Sequence, residues 1–154
     1  MRKVLLGAGF VLAGLAGLAQ AQGADPFKMQ IAARQGIMAY RALQLGTLGA
    51  MAKGEVEYDA AKAQKAADNL LTAVSIDASM LFPKGSDSDA VEGTRALPAI
   101  WAEGSTIGAE AKAAVEAATA LQAAAGKDLD SLKAAMGPMG QACTACHKAY
   151  RKSE

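Results

Sequence analysis

The chain has 154 residues, one domain's worth, and 52% of them are apolar. Its 16 Lys and Arg are balanced by 15 Asp and Glu, which excludes the basic excess of a nucleic-acid binder. Two cysteines cannot supply a disulfide framework, so packing must hold the fold.

Met1-Arg2-Lys3 forms a positive start, Val4 to Ala19 an apolar run, and Ala19-Gln20-Ala21 an A-x-A cleavage site. Residues 1–21 therefore read as a cleaved secretory signal peptide and 22–154 as the mature domain. Losing Arg2 and Lys3 makes the mature chain slightly acidic. No later stretch is long and apolar enough to cross a bilayer, so no stable span is expected after signal removal.

The mature composition is rich in Ala, Leu, Met, Lys and Glu and poor in aromatics, which is helix composition. The spacing predicts a first helix from Pro26 to Ala52, with Asp25 as its cap. Ile31, Met38, Leu45 and Ala52 recur at seven, with Gln35, Ala42 and Gly49 between them, as one inward stripe. A second helix is expected from Asp59, as cap, to Met80, with Ala63, Ala67, Leu70, Leu71, Val74 and Ala78 inward.

The stretch Phe82 to Asp89 is turn-forming, and the connection onward to Ala96 is long for a small bundle. A third helix is expected from Pro98, carrying Ile100, Trp101, Ile107, Ala111, Val115 and Leu121. Gly104 and Gly108 weaken its first turns, so a break is expected there. A fourth starts at Asp128 or Asp130, buries Leu129, Leu132, Met136 and Met139, and is expected to kink at Gly137-Pro138. Four helices with short links make an all-α fold, an antiparallel up-down four-helix bundle.

Cys143-Thr144-Ala145-Cys146-His147 is a C-x-x-C-H near the end of the last helix. These are the only cysteines and the only histidine. The motif is a c-type haem attachment site, in which two thiols form thioethers with the haem vinyl groups. The adjacent imidazole becomes an axial iron ligand. Cys143 and Cys146 are i,i+3 and Cys143 and His147 i,i+4, so all three fit one helix face. A zinc site would need further Cys or His ligands, and a thioredoxin-like pair would want a βαβ setting. One covalent haem c and an exported chain agree, since bacteria attach this group outside the cytoplasmic membrane; the expected location is the periplasm. With no second histidine, no Ser/His/Asp or Cys/His hydrolase arrangement is possible, and no enzyme is read here.

The second axial position is open to a methionine, a lysine, water or nothing. Met136 and Met139 share the haem helix and cannot easily cross to the far face. Met38, on the first helix, can. If its sulfur binds iron, the haem is six-coordinate and carries electrons. If Met38 only packs, the iron is five-coordinate and admits small gases.

The chain resembles cytochrome c′, the class II c-type cytochromes. The resemblance rests on Arg34-Gln35 followed by Met38, on Lys53-Gly54 with Tyr58-Asp59-Ala60-Ala61, on Phe82-Pro83 with Gly85, on Pro98-Ala99-Ile100-Trp101, and on C-x-x-C-H followed by Tyr150-Arg151. It implies that Cys143 and Cys146 hold the haem, that His147 ligates iron and that Met38 lines the distal pocket. It also implies that Arg34 and Gln35 contact a propionate, that Thr94 and Arg95 lie at the haem edge, and that Arg151 lies against the imidazole. It further implies NO and CO as ligands, a redox partner, and a homodimer through the first two helices. The alternative it carries is a six-coordinate, Met-ligated electron-transfer cytochrome.

Overall fold

The computed structural model describes residues 26–153, so the expected signal peptide 1–21 lies outside the described residues. Four helices carry the chain: α1 Lys28–Ala52, α2 Ala60–Ser75, α3 Ile107–Ala125 and α4 Leu129–Tyr150. Each packs on the next, and α4 closes the ring on α1. Successive helices fold back on one another, which makes an antiparallel up-down four-helix bundle. Among the described residues no helix is long and apolar enough to cross a membrane.

Two of the helix starts follow from capping acids. Asp59 Oδ1 accepts the backbone N–H of Lys62 at 2.9 Å, and Asp128 Oδ1 accepts that of Ser131 at 2.7 Å. Each satisfies a donor that the first helical turn leaves free. α1 differs from expectation. It begins two residues after Pro26, with Phe27 at the cap position and no side-chain cap, while Asp25 lies outside the described residues.

Leu48 and Met51 of α1, Ala63, Ala67 and Leu70 of α2, Ala118, Leu121 and Ala125 of α3, and Leu132 and Met139 of α4 form the core. Each fully buried leucine contributes roughly 2 kcal/mol of apolar burial. The many alanines let the helix axes approach.

The stripe expected on α1 is inward at Ile31, Leu45 and Ala52, and Leu45 and Ala52 pack against the core. The buried positions are Ile31, Arg34, Gln44, Leu48 and Met51, whereas Met38 is 40% exposed and Gln35 and Ala42 are also exposed. In α3 only Leu121 of the expected inward set is fully buried, and Ala111 is exposed.

α2 stops at Ser75, short of the expected Met80. Ile76 is already extended, and Asp77 Oδ1 accepts the Ser79 N–H at 2.9 Å. That local turn competes with the helix for the same backbone. A single 3-10 turn, Ser79–Leu81, follows.

Pro98 opens another 3-10 turn, Pro98–Trp101, rather than α3 itself. The chain then breaks at Gly104, whose φ of 79° suits glycine, and α3 starts at Ile107. The expected weakness there becomes a full break. α4 runs from Leu129 to Tyr150 without interruption past Pro138, which sits on its exposed side.

The long connection 76–106 is ordered by a polar tie within itself and by ties to the C-terminal end of α4. Trp101 Nε1–H donates to the Phe82 carbonyl at 2.9 Å. The Leu97 N–H donates to the Tyr150 carbonyl at 3.0 Å, and an isolated bridge pairs Ala96 with Arg151. These ties bring the connection against the end of α4 that carries the Cys and His residues.

Candidate haem site

Helical periodicity divides the C-x-x-C-H segment by face. Cys143, Cys146 and His147 are half-buried, while Thr144 and Ala145 face solvent. Thr144 Oγ1 bonds back to the Gly140 carbonyl at 2.8 Å. Neither cysteine is in a disulfide. Burial pushes both thiols up; Glu110 and Cys143 push Cys146 further in the same direction, and Arg41 opposes this at both.

His147 is held below the usual imidazole range, first by burial and then by the charges of Arg151 and Arg95. A metal ligand must be the neutral imidazole, so this direction suits the role. Two cysteines three residues apart, with an imidazole shifted toward its neutral form beside them on one half-buried face, fit a covalently attached haem. Cys143 and Cys146 would hold it and His147 would ligate iron. The group supplies an iron centre that can change oxidation state or take a ligand.

The structure brings Arg95 and Arg151 together at His147. Arg151 lies just past α4, exposed, and its backbone N–H donates to the His147 carbonyl at 3.0 Å. Arg95 Nε–H donates to the Lys152 carbonyl at 2.9 Å.

Arg34, Gln35 and Thr94 form a different group. Arg34 is 5% exposed, and its guanidinium is engaged by the connection 76–106. Nη1 donates to the Ser86 hydroxyl at 2.8 Å and to the Leu81 carbonyl at 3.3 Å. Nη2 donates to the Ser86 carbonyl and the Thr94 hydroxyl. The Phe82 ring lies 5.0 Å from the guanidinium carbon. Gln35 Nε2 donates to the Gly93 carbonyl at 2.7 Å. The expected Arg-Gln pair thus staples α1 to the connection.

Met38 has a neighbour that the sequence reading passed over. Arg41 Nη1 lies 3.7 Å from the Met38 sulfur. The rest of its guanidinium donates to the Ala73 carbonyl, Nη2 at 2.7 Å and Nε at 3.2 Å. The signal lay in the spacing: Arg41 is three residues after Met38 and seven after Arg34, on the same side of one helix.

Comparison with known proteins identifies the family. The family model described as Cytochrome C′ matches residues 29–151. A cytochrome c-554 of Cereibacter sphaeroides is 45% identical over 136 residues, covering 88% of this chain and 89% of that protein. The solved cytochrome c′ from Rhodobacter spheriodes superposes with a TM-score of 0.81 at 39% identity, over 84% of this chain and 100% of that one. The nitric oxide complex of a cytochrome c′ variant from Alcaligenes xylosoxidans superposes with a TM-score of 0.72 at 31% identity, over 83% of this chain and 97% of that one. With its C-x-x-C-H on the last helix of a four-helix bundle, the chain belongs to the cytochrome c′ family and carries covalent haem c.

Proposed function

We propose that this chain is a periplasmic haem protein whose iron takes His147 as its one protein ligand and binds NO or CO at the open position. The observation that carries gas binding is the likeness to a protein solved as a nitric oxide complex. The setting of Met38 supports an open position: its sulfur is engaged by the Arg41 guanidinium. The reading is of binding rather than turnover. Arg95 and Arg151 supply positive charge at His147, which reduces the electron density that the ligand gives to iron. On the same reading Cys143 and Cys146 fix the haem, and Met38 covers its distal face.

A second reading has its own observation. Met38 offers a thioether on α1, the helix that closes the bundle against the haem helix. Ligation by that sulfur would make a six-coordinate electron carrier. One experiment separates the two: the absorption spectrum of the reduced protein before and after CO. A broad high-spin spectrum that shifts on CO supports gas binding. A sharp low-spin spectrum that ignores CO overturns it in favour of the carrier.

A homodimer through α1 and α2 is part of the proposal. Met29 is 78% and Leu43 63% exposed on α1. Gly36, Ile37 and Tyr40 line a shallow apolar groove with Ala73 and Ile76. Light scattering on the holoprotein tests it, and a monomer at all accessible concentrations overturns it.

A further inference from the structure

His147 lies in the last turn of α4, which ends at Tyr150. Helix ends leave carbonyls unbonded and open readily, so an iron ligand placed there needs its turn held from outside. Within this turn Lys148 and Ala149 are exposed and His147 is half-buried. Tyr150 alone is buried, at 8% exposed.

Tyr150 meets the rest of the fold at two points. Its backbone carbonyl accepts the Leu97 N–H at 3.0 Å. Its phenol oxygen accepts the Thr106 N–H at 2.8 Å and lies 3.0 Å from the Thr106 hydroxyl. A phenol can donate and accept at once, so both contacts can be hydrogen bonds. Thr106 is the N-cap residue of α3 and makes no side-chain cap bond there. The start of α3 thus has a donor to satisfy, and a hydroxyl from α4 satisfies it.

The register along α4 connects this tie to the motif. Tyr150 is three residues after His147 and four after Cys146, so all three share one helix face. The face that presents the imidazole is therefore the face fastened to α3. The Arg95 side chain is bonded elsewhere, to the Lys152 carbonyl beyond the helix.

We propose that Tyr150 is a positioning residue for His147. Its phenol, tied to the start of α3, and its carbonyl, tied to Leu97, hold the last turn of α4 and so fix the imidazole presented to iron. This rests on His147 as the ligand proposed above and is independent of what occupies the other axial position. Bonds around a metal ligand set its orientation, and here the bond acts through the helix turn rather than on the ring itself.

The test uses the oxidised holoprotein and three variants. Tyr150→Phe keeps the ring and removes the hydroxyl. Tyr58→Phe is the control, because the Tyr58 hydroxyl donates to the Ala125 carbonyl at 2.9 Å, at the other end of α3. Thr106→Val removes only the hydroxyl partner on the α3 side. Proton NMR follows the imidazole resonances of His147, which a bound paramagnetic iron shifts in either spin state, and amide exchange is followed at Thr106. Tyr150→Phe is expected to move the imidazole resonances and to speed exchange at Thr106 about fivefold. Thr106→Val should move them the same way by less, and Tyr58→Phe should leave them in place. Unchanged imidazole resonances in Tyr150→Phe overturn the proposal, whatever stability is lost, and so does an equal shift in Tyr58→Phe. If Tyr150→Phe takes up no haem, Thr106→Val decides by the same criterion. A wild-type spectrum without shifted imidazole resonances overturns the proposal by a different route, since His147 is then not the ligand.

Discussion

Arg95 and Lys152 exchange two hydrogen bonds across the end of the haem helix. The Lys152 backbone N–H donates to the Arg95 carbonyl at 2.8 Å, and Arg95 Nε–H donates to the Lys152 carbonyl at 2.9 Å. Together with the Ala96–Arg151 bridge they make a short extended pairing just past α4. Arg95 is held there by its own side chain, so its charge at His147 has a fixed origin.

Arg95→Leu should remove one bond of this pair and leave the backbone bond. A partly exposed bond of this kind contributes about 1 kcal/mol. The expected result is a loss of that order in chemical unfolding and faster amide exchange at Lys152 and Leu97. Unchanged exchange at both amides would mean that the side chain does not hold the pairing.

Arg34 predicts a larger effect. Truncation to Ala leaves the buried Ser86 and Thr94 hydroxyls and the Ser86 carbonyl without their donor. Leaving buried polar groups without their donor costs about 1–3 kcal/mol. Arg34→Ala should lower stability by that order and make the segment 81–97 sensitive to limited proteolysis. A loss below about 1 kcal/mol, with the segment still resistant, would show that the staple is dispensable.

How much of this was legible in the sequence depends on the range of the interaction. Asp59 and Asp128 were readable as caps because a cap bonds three residues away along the chain. The Cys143, Cys146 and His147 cluster was readable because one helical turn brings it together. Arg34 was readable as a residue in need of a partner, yet its partners lie about fifty residues on, in a connection without periodicity. Arg41 was missed for the opposite reason. A lone arginine on a helix usually faces water, and only the end of α2 at Ala73 holds it beside Met38. The stop at Ser75 was hidden because Asp77 and Ser79 form a turn that helix propensity does not report.

Asp68 carries a pH prediction. Its Oδ1 accepts from Gln64 Nε2 and Gln122 Nε2, each at 2.9 Å, and so ties α2 to α3. These two bonds hold its carboxyl below the usual carboxylate range, with Lys65 adding to them and burial opposing. The folded state therefore favours the charged form. That stability is present above the unfolded carboxyl's range, near about pH 4, and is lost as pH falls through the lower folded value. Asp68→Asn should be less stable than wild type by about 0.5 kcal/mol at neutral pH, the group being largely exposed. The gap should close on acidification in urea titrations run from neutral pH to below pH 4. A gap independent of pH would mean that the charge of Asp68 is not what the two glutamines stabilise.

The haem site itself makes a covalent prediction. Cys143→Ser and Cys146→Ser should each leave a single thioether, and the double variant none. Mass spectrometry of the unfolded protein reads the adduct directly, because thioethers survive denaturation and coordination does not. Haem still bound to the denatured double variant would contradict attachment at these two residues.

Met38 separates steric gating from ligation. Its side chain is 40% exposed, and its sulfur meets Arg41 at 3.7 Å. If it screens the iron by bulk, Met38→Ala removes the obstacle, and CO association with the reduced protein should speed up about tenfold, equivalent to lowering the barrier by about 1.4 kcal/mol. Met38→Leu, close in volume but without sulfur, should stay within about threefold of wild type. If the sulfur is bound to iron instead, both variants open the axial position. Both should then turn a low-spin spectrum high-spin and gain CO binding alike. The leucine variant therefore decides between the readings: wild-type behaviour assigns Met38 to steric control, and a change of spin state assigns it to the iron.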